Sequence, residues 1–533
     1  MEKSRVIRSA FKVGSFTMLS RVLGLVRDTL IAAAFGTSGA MSDFVVAFRI
    51  PNLFRALFGE GALASAFVPV FMDTRQKSGD DEAWRVARRV LTVVGGALLA
   101  LVALGIAVAT ALLHYAPGLV EHAPTVLPLA RIMFPYLLFI CLAALSQAIL
   151  NAYHRFALPA LTPSLLNITW ILFVLFACPL FGDTANERIF GVAWGVCCAG
   201  LVQLLAQVPL MMKLGYQPGL EWDTRDERVR KVFRLMGPTT IGQSVTQVNV
   251  MINGVLARWA ADWAPASLFY AERLLYFPQG ILATALSTVL LPVLSGHAAR
   301  GDTVQMRDTL NHGLRTLLFI MAPASLGLLF LAEPITQLVY GWGAFNQASV
   351  IHTSVALKFY APGLLFFGLA KVFVPAFYAL HNTRTPFRIG LVAVGLNFCM
   401  NWFFVLTWPE DIKHAGLALA TVLSETFNGL TLAWCLHRVL GNLGWGSVLR
   451  SAARALAAAL AMAIGVHYLQ WIAEAVLRGY GAPAKLAQAG SVLGSIAVGA
   501  AFYFGLALLT RAPEVGFVKD ALRRRRERKA PQV

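Results

Sequence analysis

The 533-residue chain is 57% apolar and only 14% charged, with a mean hydropathy of +0.65, which excludes a soluble globular enzyme. Its net charge of +18 suits a nucleic-acid binder only if the cations cluster on a solvated face. They lie instead in short loops between apolar runs and in a terminal tail, so the composition describes a polytopic helical membrane protein.

Fourteen apolar segments follow in chain order, at about 5–36, 41–73, 87–114, 124–153, 157–181, 188–212, 230–258, 266–297, 310–331, 349–380, 386–407, 413–436, 448–473 and 485–510. The basic start resembles a signal peptide, but Arg21 and Arg27 interrupt the apolar core and no small-residue cleavage site follows. It reads as a retained first helix. All six cysteines fall inside apolar segments without metal-ligand spacing, as small core residues do.

The first two segments carry residues that are costly in hydrocarbon. Arg21, Arg27 and Asp28 lie in the first, and Asp43, Arg49, Arg55 and Glu60 in the second, with Pro51 and the Gly59/Gly61 pair as bend points. Each such charge costs roughly 2.5–3.5 kcal/mol at a helix centre, so the cluster must face a wet cavity or its own partners. At 100° per residue Arg21 and Asp28 share a face, as do Arg49 and Glu60, and Asn52 and Arg55 are i,i+3 neighbours. The eighth segment adds Glu272 and Arg273 in "FYAERLLYFPQG". A surplus of fixed arginines calls for an anion, and guanidinium forks match phosphate oxygens.

Amides mark the seventh and eleventh segments. Asn249/Asn253, Gln243/Gln247 and Asn397/Asn401 are i,i+4 pairs, and Thr421 and Ser424 lie in the twelfth. Interhelical hydrogen bonding is the commoner use of such residues, and oxygen coordination of a small cation is the other reading. Glu425 is a further intramembrane acid beside them. No nucleophile–base arrangement, phosphate loop or His/Cys cluster stands out, so no enzyme is expected.

Loops after the even-numbered segments are rich in Lys and Arg, and those after odd-numbered ones are poor in both. The positive-inside rule then places both termini in the cytoplasm. The tail Arg523–Lys529, "RRRRERK", reads as a topology signal attracted to anionic lipids rather than to nucleic acid. "PYLLFICLAALSQAILNAYHRFALP" from Pro135 and "PGLLFFGLAKVFVPAFYALHNTRTP" from Pro362 align without a gap at an offset of 227, matching His154 with His381 and Pro159 with Pro386. The repeat shifts the chain by six segments, giving parallel lobes: 1–220, then 221–442, a pair of helices over 443–512 and a basic tail over 513–533.

At "SRVLGLVRDTLIAAAFG", "SDFVVAFRIPNLFRALFGEGALASAFVP" and "YAERLLYFPQGILATALSTVLLPVLS" the chain resembles the lipid II flippase family (MurJ, also called MviN) of the multidrug/oligosaccharidyl-lipid/polysaccharide exporters. The likeness covers essentially the full length. It implies an all-α membrane protein of about fourteen helices, with two six-helix lobes around a central cavity and a C-terminal pair lining a lipid-tail groove. It also implies transport of an undecaprenyl-diphosphate-linked disaccharide-pentapeptide across the bacterial inner membrane for peptidoglycan synthesis. The family's cavity arginines correspond to Arg21, Arg27, Arg55 and Arg273, and its acidic partners to Asp28, Asp43 and Glu60; Arg49 and Glu272 join these sets from the charge pattern alone. "DFVVAF" is one residue shorter than the "DAFxxAF" of many members, which shifts the alignment at Asp43. Where some members place carboxylates in a Na+ site, this chain has Asn253, Asn397, Asn401 and Thr421, which weighs against sodium coupling. No cofactor is expected, and the partners implied are lipid II and anionic lipids, with the chain a monomer beside the cell-wall machinery. The rivals are an exporter of another lipid-linked sugar or a drug, and a membrane glycan polymerase.

Overall fold

The computed structural model describes the backbone of residues 2–59, 62–116, 118 and 123–516, and their side chains except 2–13, 58, 59, 62, 238–246 and 281–289. Glu60, Gly61 and the Arg523–Lys529 run lie outside the described residues, as does the side chain of Gln243. Helix occupies each of the fourteen expected segments, and no strand occurs among the described residues. By length and composition alone, nine of the described helices can cross a membrane.

The chain forms two compact units, Met1–Ala266 with Trp342–Asn346, and Ser267–Gly341 with Gln347–Val533. The first holds α1 (Glu2–Phe35), α2 (Gly39–Phe54), α3 (Ala62–Ser78), α4 (Asp80–Tyr115), α5 (Val126–Ala152), α6 (Ala157–Leu172), α7 (Ala185–Leu205), α8 (Val208–Lys213) and α9 (Glu227–Ala260). Helix α10 (Ala264–Ala299) begins at the unit boundary. The second unit holds α11 (Thr303–Phe330), α12 (Ala332–Tyr340), α13 (Gln347–Tyr360), α14 (Leu364–Ala379), α15 (Arg384–Thr407), α16 (Lys413–Leu440), α17 (Trp445–Gly479) and α18 (Ala484–Leu509).

Local signals set several helix ends. Ser38 caps α2 through the Met41 amide, and Thr184 and Glu187 form a reciprocal capping box at α7. The repeated histidines close α5 and α14 in the left-handed region, with φ of 58° at His154 and 56° at His381. In each copy the next amide returns to the helix, Arg155 to the Leu150 carbonyl and Asn382 to the Phe377 carbonyl, both at 2.9 Å. The matched histidines therefore mark a matched backbone turn.

Packing in each unit relies on small residues, as expected where lipid removes most of the hydrophobic drive between helices. Ser451, Ala455, Ala459 and Ala463 recur every fourth position on α17, all buried where α17 meets α11 and α18. In the first unit Phe44 and Phe48 of α2 pack against Trp170 of α6, with ring centroids 6.0 and 5.8 Å apart. At the end carrying the basic loops, Phe71, Trp84, Tyr153 and Tyr216 form a second aromatic group.

Helix α9, which the repeat assigns to the second lobe, packs on α2, α3 and α4 of the first unit. Its N-cap, Asp226, accepts from Arg89 at 2.6 Å, and Arg228 reaches Glu82 at 2.6 Å. The linker before it is tied to α4 as well, because Glu221 accepts from Arg89 at 2.8 Å and its amide donates to Thr92. These ion pairs hold the start of α9 to the first unit.

Candidate functional site

The second predicted segment is irregular where its charges lie. The α-helical ladder runs through Pro51 and gives way one turn later to a π-helical turn, Arg55–Gly59, before α3 resumes. Proline removes a backbone donor, and wide turns of this kind recur at functional positions. Arg55 opens that turn half-buried, with its Nε donating to Asn52 Oδ1 at 2.8 Å. The i,i+3 relationship read from the sequence is thus a hydrogen bond.

Arg27 is held by an acid, an amide and an aromatic ring. Its Nε and Nη2 both donate to Asp28 Oδ1, at 2.9 and 2.7 Å, and Nη1 donates to Asn167 Oδ1 at 2.9 Å. The guanidinium also lies over the Trp170 ring, 4.5 Å from its centroid. Arg27 is 8% exposed and Asp28 4%. Asn167 and Trp170 are on α6, 140 residues or more from Arg27, and the sequence reading did not single them out. Arg21 is half-buried one and a half turns earlier on α1. Asp28, placed on its face by helical arithmetic, accepts from Arg27.

Asp43 is 2% exposed and gathers three helices. Oδ1 accepts from Arg258 Nε of α9 at 2.9 Å, and Oδ2 accepts from the Thr125 hydroxyl at 2.5 Å and amide at 3.3 Å, just before α5. Arg258 also pairs with Asp262. One residue earlier, the Ala266 amide donates to Ser42 Oγ at 3.4 Å. Asp43 is therefore a junction of α2, α5 and α9 at the end away from the basic loops.

Arg49 does not need Glu60 for a partner. Its Nη1 donates to the Val250 carbonyl of α9 at 2.6 Å, beside Gly254. A Cβ at Gly254 would sit 2.8 Å from that Nη1, so the missing side chain makes room for the guanidinium.

In the second unit, Arg273 is exposed and lies over the Phe269 ring at 4.7 Å, while Glu272 accepts from the Tyr360 hydroxyl at 3.1 Å. The amides of α15 and the hydroxyls of α16 form a polar chain. Asn401 donates to Asn397 at 2.9 Å, Asn397 to Ser424 at 3.3 Å, and Ser424 to the Thr421 carbonyl. The Thr421 hydroxyl turns back to the Leu417 carbonyl at 3.0 Å. Asn253 is half-buried on α9, in the first unit. Among the described residues no group of three or more His, Cys, Asp or Glu is placed to hold a metal ion.

Among the described residues of the first unit, the candidate site offers the guanidinium groups of Arg27 and Arg55. Guanidinium groups of this kind can bind an oxyanion.

Residues 31–481 match the family model described as "Lipid II flippase MurJ". The chain is 35% identical over 474 residues to the lipid II flippase MurJ of Burkholderia cenocepacia, covering 87% of this chain and 90% of that protein. It is 36% identical over 448 residues to the probable lipid II flippase MurJ of Vibrio cholerae, covering 81% and 83%. Among solved structures it is similar to "Lipid II flippase MurJ, inward closed conformation", with a TM-score of 0.74, 25% identity and coverage of 94% and 98%. An inward-facing multidrug resistance MATE family transporter, at 12% identity and a TM-score of 0.64 over 81% of this chain and 98% of that one, shares the fold.

Proposed function

Because the chain belongs to the lipid II flippase MurJ family, we propose that it carries lipid II from the cytoplasmic to the outer leaflet of the bacterial inner membrane by alternating access. It is a multi-pass protein of that membrane and a transporter rather than a catalyst. The substrate is an undecaprenyl-diphosphate-linked disaccharide-pentapeptide, and no bond in it is made or broken.

The observation that supports this reading is the immobilised Arg27, a permanent cation kept inside apolar helices by Asp28, Asn167 and Trp170. Asp28 occupies one edge of the guanidinium and leaves an N–H on each Nη, and a diphosphate is an anion whose oxygens match such donors. Arg55, bonded to Asn52, and Arg273, over the Phe269 ring, supply further positive charge. The lipid tail stays in the bilayer beside α17 and α18.

With both termini in the cytoplasm, an inside-negative potential favours outward movement of an anion by about 2.3 kcal/mol per charge per 100 mV. The membrane field is therefore a sufficient drive, and the Asn397–Asn401–Ser424 chain is read as an interhelical tie rather than a Na+ site. The protein acts as a monomer that hands its product to the cell-wall machinery.

The test is flipping of lipid II by the purified protein in liposomes under an imposed potential. Changing Arg27, Arg55 and Arg273 to Ala, singly and together, should lower the rate at least tenfold. A normal rate in the triple variant overturns the reading.

A further inference from the structure

Arg27 has five N–H donors, and three are used within the first unit, by Asp28 and Asn167. Two remain outside those bonds, one on each Nη. Asn167 is itself oriented from behind: its Nδ2 donates to the Ser20 carbonyl at 2.9 Å, which turns Oδ1 toward Arg27. Asn167 is 5% exposed and Trp170 5%, so both are fixed in the packing between α1 and α6. Trp170 also meets Phe44 and Phe48 of α2, the helix that leads to Arg55.

A neutral amide and an aromatic face are an informative choice of partners. Either can hold a guanidinium without cancelling its charge, whereas a second carboxylate would. An arginine on a free stem gives up rotamer freedom when its ligand arrives, and one already immobilised does not.

Resting on the lipid II reading above, we propose that Asn167 and Trp170 are positioning residues for the lipid-linked diphosphate. They hold Arg27 by one Nη and by its face, Asp28 takes the Nε–Nη2 edge, and the two remaining N–H groups receive phosphate oxygens. Asn167 and Trp170 touch no substrate themselves. Their effect reaches the substrate only through Arg27.

The experiment measures flipping by the full-length protein in liposomes across a range of lipid II densities. Asn167→Ala should raise the half-saturating density about tenfold, as expected for losing one hydrogen bond to a charged group, with the maximal rate within about twofold. Trp170→Leu, which keeps the apolar packing, should raise it about threefold, and Trp170→Phe should rise less. In an Arg27→Ala background neither Asn167→Ala nor Trp170→Leu should change the rate further, because the group they position is gone.

An unchanged half-saturating density in both single variants overturns the proposal. So does an equal loss with and without Arg27, which would assign Asn167 and Trp170 to packing alone. If Arg27→Ala itself flips lipid II normally, the role given to Arg27 falls instead, so the two failures are distinguishable. If Asn167→Ala does not fold, the Trp170 pair carries the comparison.

Discussion

Arg49 Nη1 donates to the Val250 carbonyl at 2.6 Å, tying a guanidinium of α2 to the backbone of α9 where Gly254 leaves space for it. Asp226 and Arg228 hold the start of α9, this bond holds its middle, and the Arg258–Asp43 pair holds its end. Three polar ties at three depths explain why α9 clusters with the first unit.

Arg49 is accordingly expected to act on stability more than on substrate. Arg49→Ala should lower the unfolding free energy by about 1–2 kcal/mol, the worth of a hydrogen bond from a charged donor that is partly solvated. Gly254→Val should do at least as much, because its side chain occupies the guanidinium's place. Denaturation of the purified protein in micelles, alongside the lipid II dependence of flipping, checks this. A tenfold loss of apparent affinity with unchanged stability would instead place Arg49 on the phosphate.

Asp43 and Arg258 should show strong coupling in a double-mutant cycle. Asp43→Asn takes from Arg258 its buried carboxylate, leaving Asp262, whose side chain is 80% exposed, as an acid neighbour, and gives the Thr125 hydroxyl a weaker acceptor. Arg258→Gln leaves Asp43 buried and charged. Each single change should cost about 2–4 kcal/mol, and the double variant should cost about 1–3 kcal/mol less than their sum. Additive losses would show that the pair does not act as one latch.

Much of the frame was legible in the sequence, and the exceptions have physical causes. Apolar runs located the helices, and the paired histidines located a repeated turn. Asn52 and Arg55 were correctly joined because an i,i+3 contact is set by one helix alone. The pairing of Arg49 with Glu60 on one face assumed 100° per residue, and Glu60 lies outside the described residues; what the regular-helix assumption missed is the π-helical turn Arg55–Gly59. Arg258 and Asn167 were missed because their partners lie 215 and 140 residues away, and only packing brings them together. Asn167 did carry a signal, as a buried-type amide in the apolar run "SLLNITWIL".

The linker network should be insensitive to pH across the physiological range. Partial burial raises the Asp226 carboxyl, but hydrogen bonds from Arg228 and Arg89 outweigh that and bring it down to about 2. A depressed folded value contributes stability that is present above the ordinary aspartate value near 4 and is lost as pH falls toward about 2. Hydrogen exchange over residues 221–228 should thus be level from about pH 8 to 5, once corrected for intrinsic rates. Asp226→Asn should raise exchange there at neutral pH. Equal protection in the variant would remove Asp226 from the clamp.

The second unit has its own clamp, and there the prediction concerns the last helix pair. Helix α11 offers Asn311, Arg315 and Phe319 on one face, four residues apart. Asn311 donates to the Leu443 carbonyl at 2.7 Å, Arg315 donates to Glu514 at 2.6 Å, and the Phe319 carbonyl accepts from Tyr503 at 2.7 Å. Glu514 is 3% exposed, beyond the end of α18, and also accepts from Ser451 of α17 at 2.7 Å. Burial raises its carboxyl, yet Ser451 and Arg315 together hold it below the usual glutamate range. Its contribution is therefore present at neutral pH and fades only in acid, below about pH 4. Glu514→Gln should cost about 2–4 kcal/mol, because it leaves the Arg315 guanidinium without its counter-charge. Arg315→Met with Glu514→Gln should recover at least half of that loss, since both charges of the pair are then gone. Hydrogen exchange in Glu514→Gln should rise over residues 507–516 and stay unchanged where Tyr503 meets Phe319. A uniform rise along α17 and α18 would mean that the pair is held as one piece, and that no single tie fixes its end.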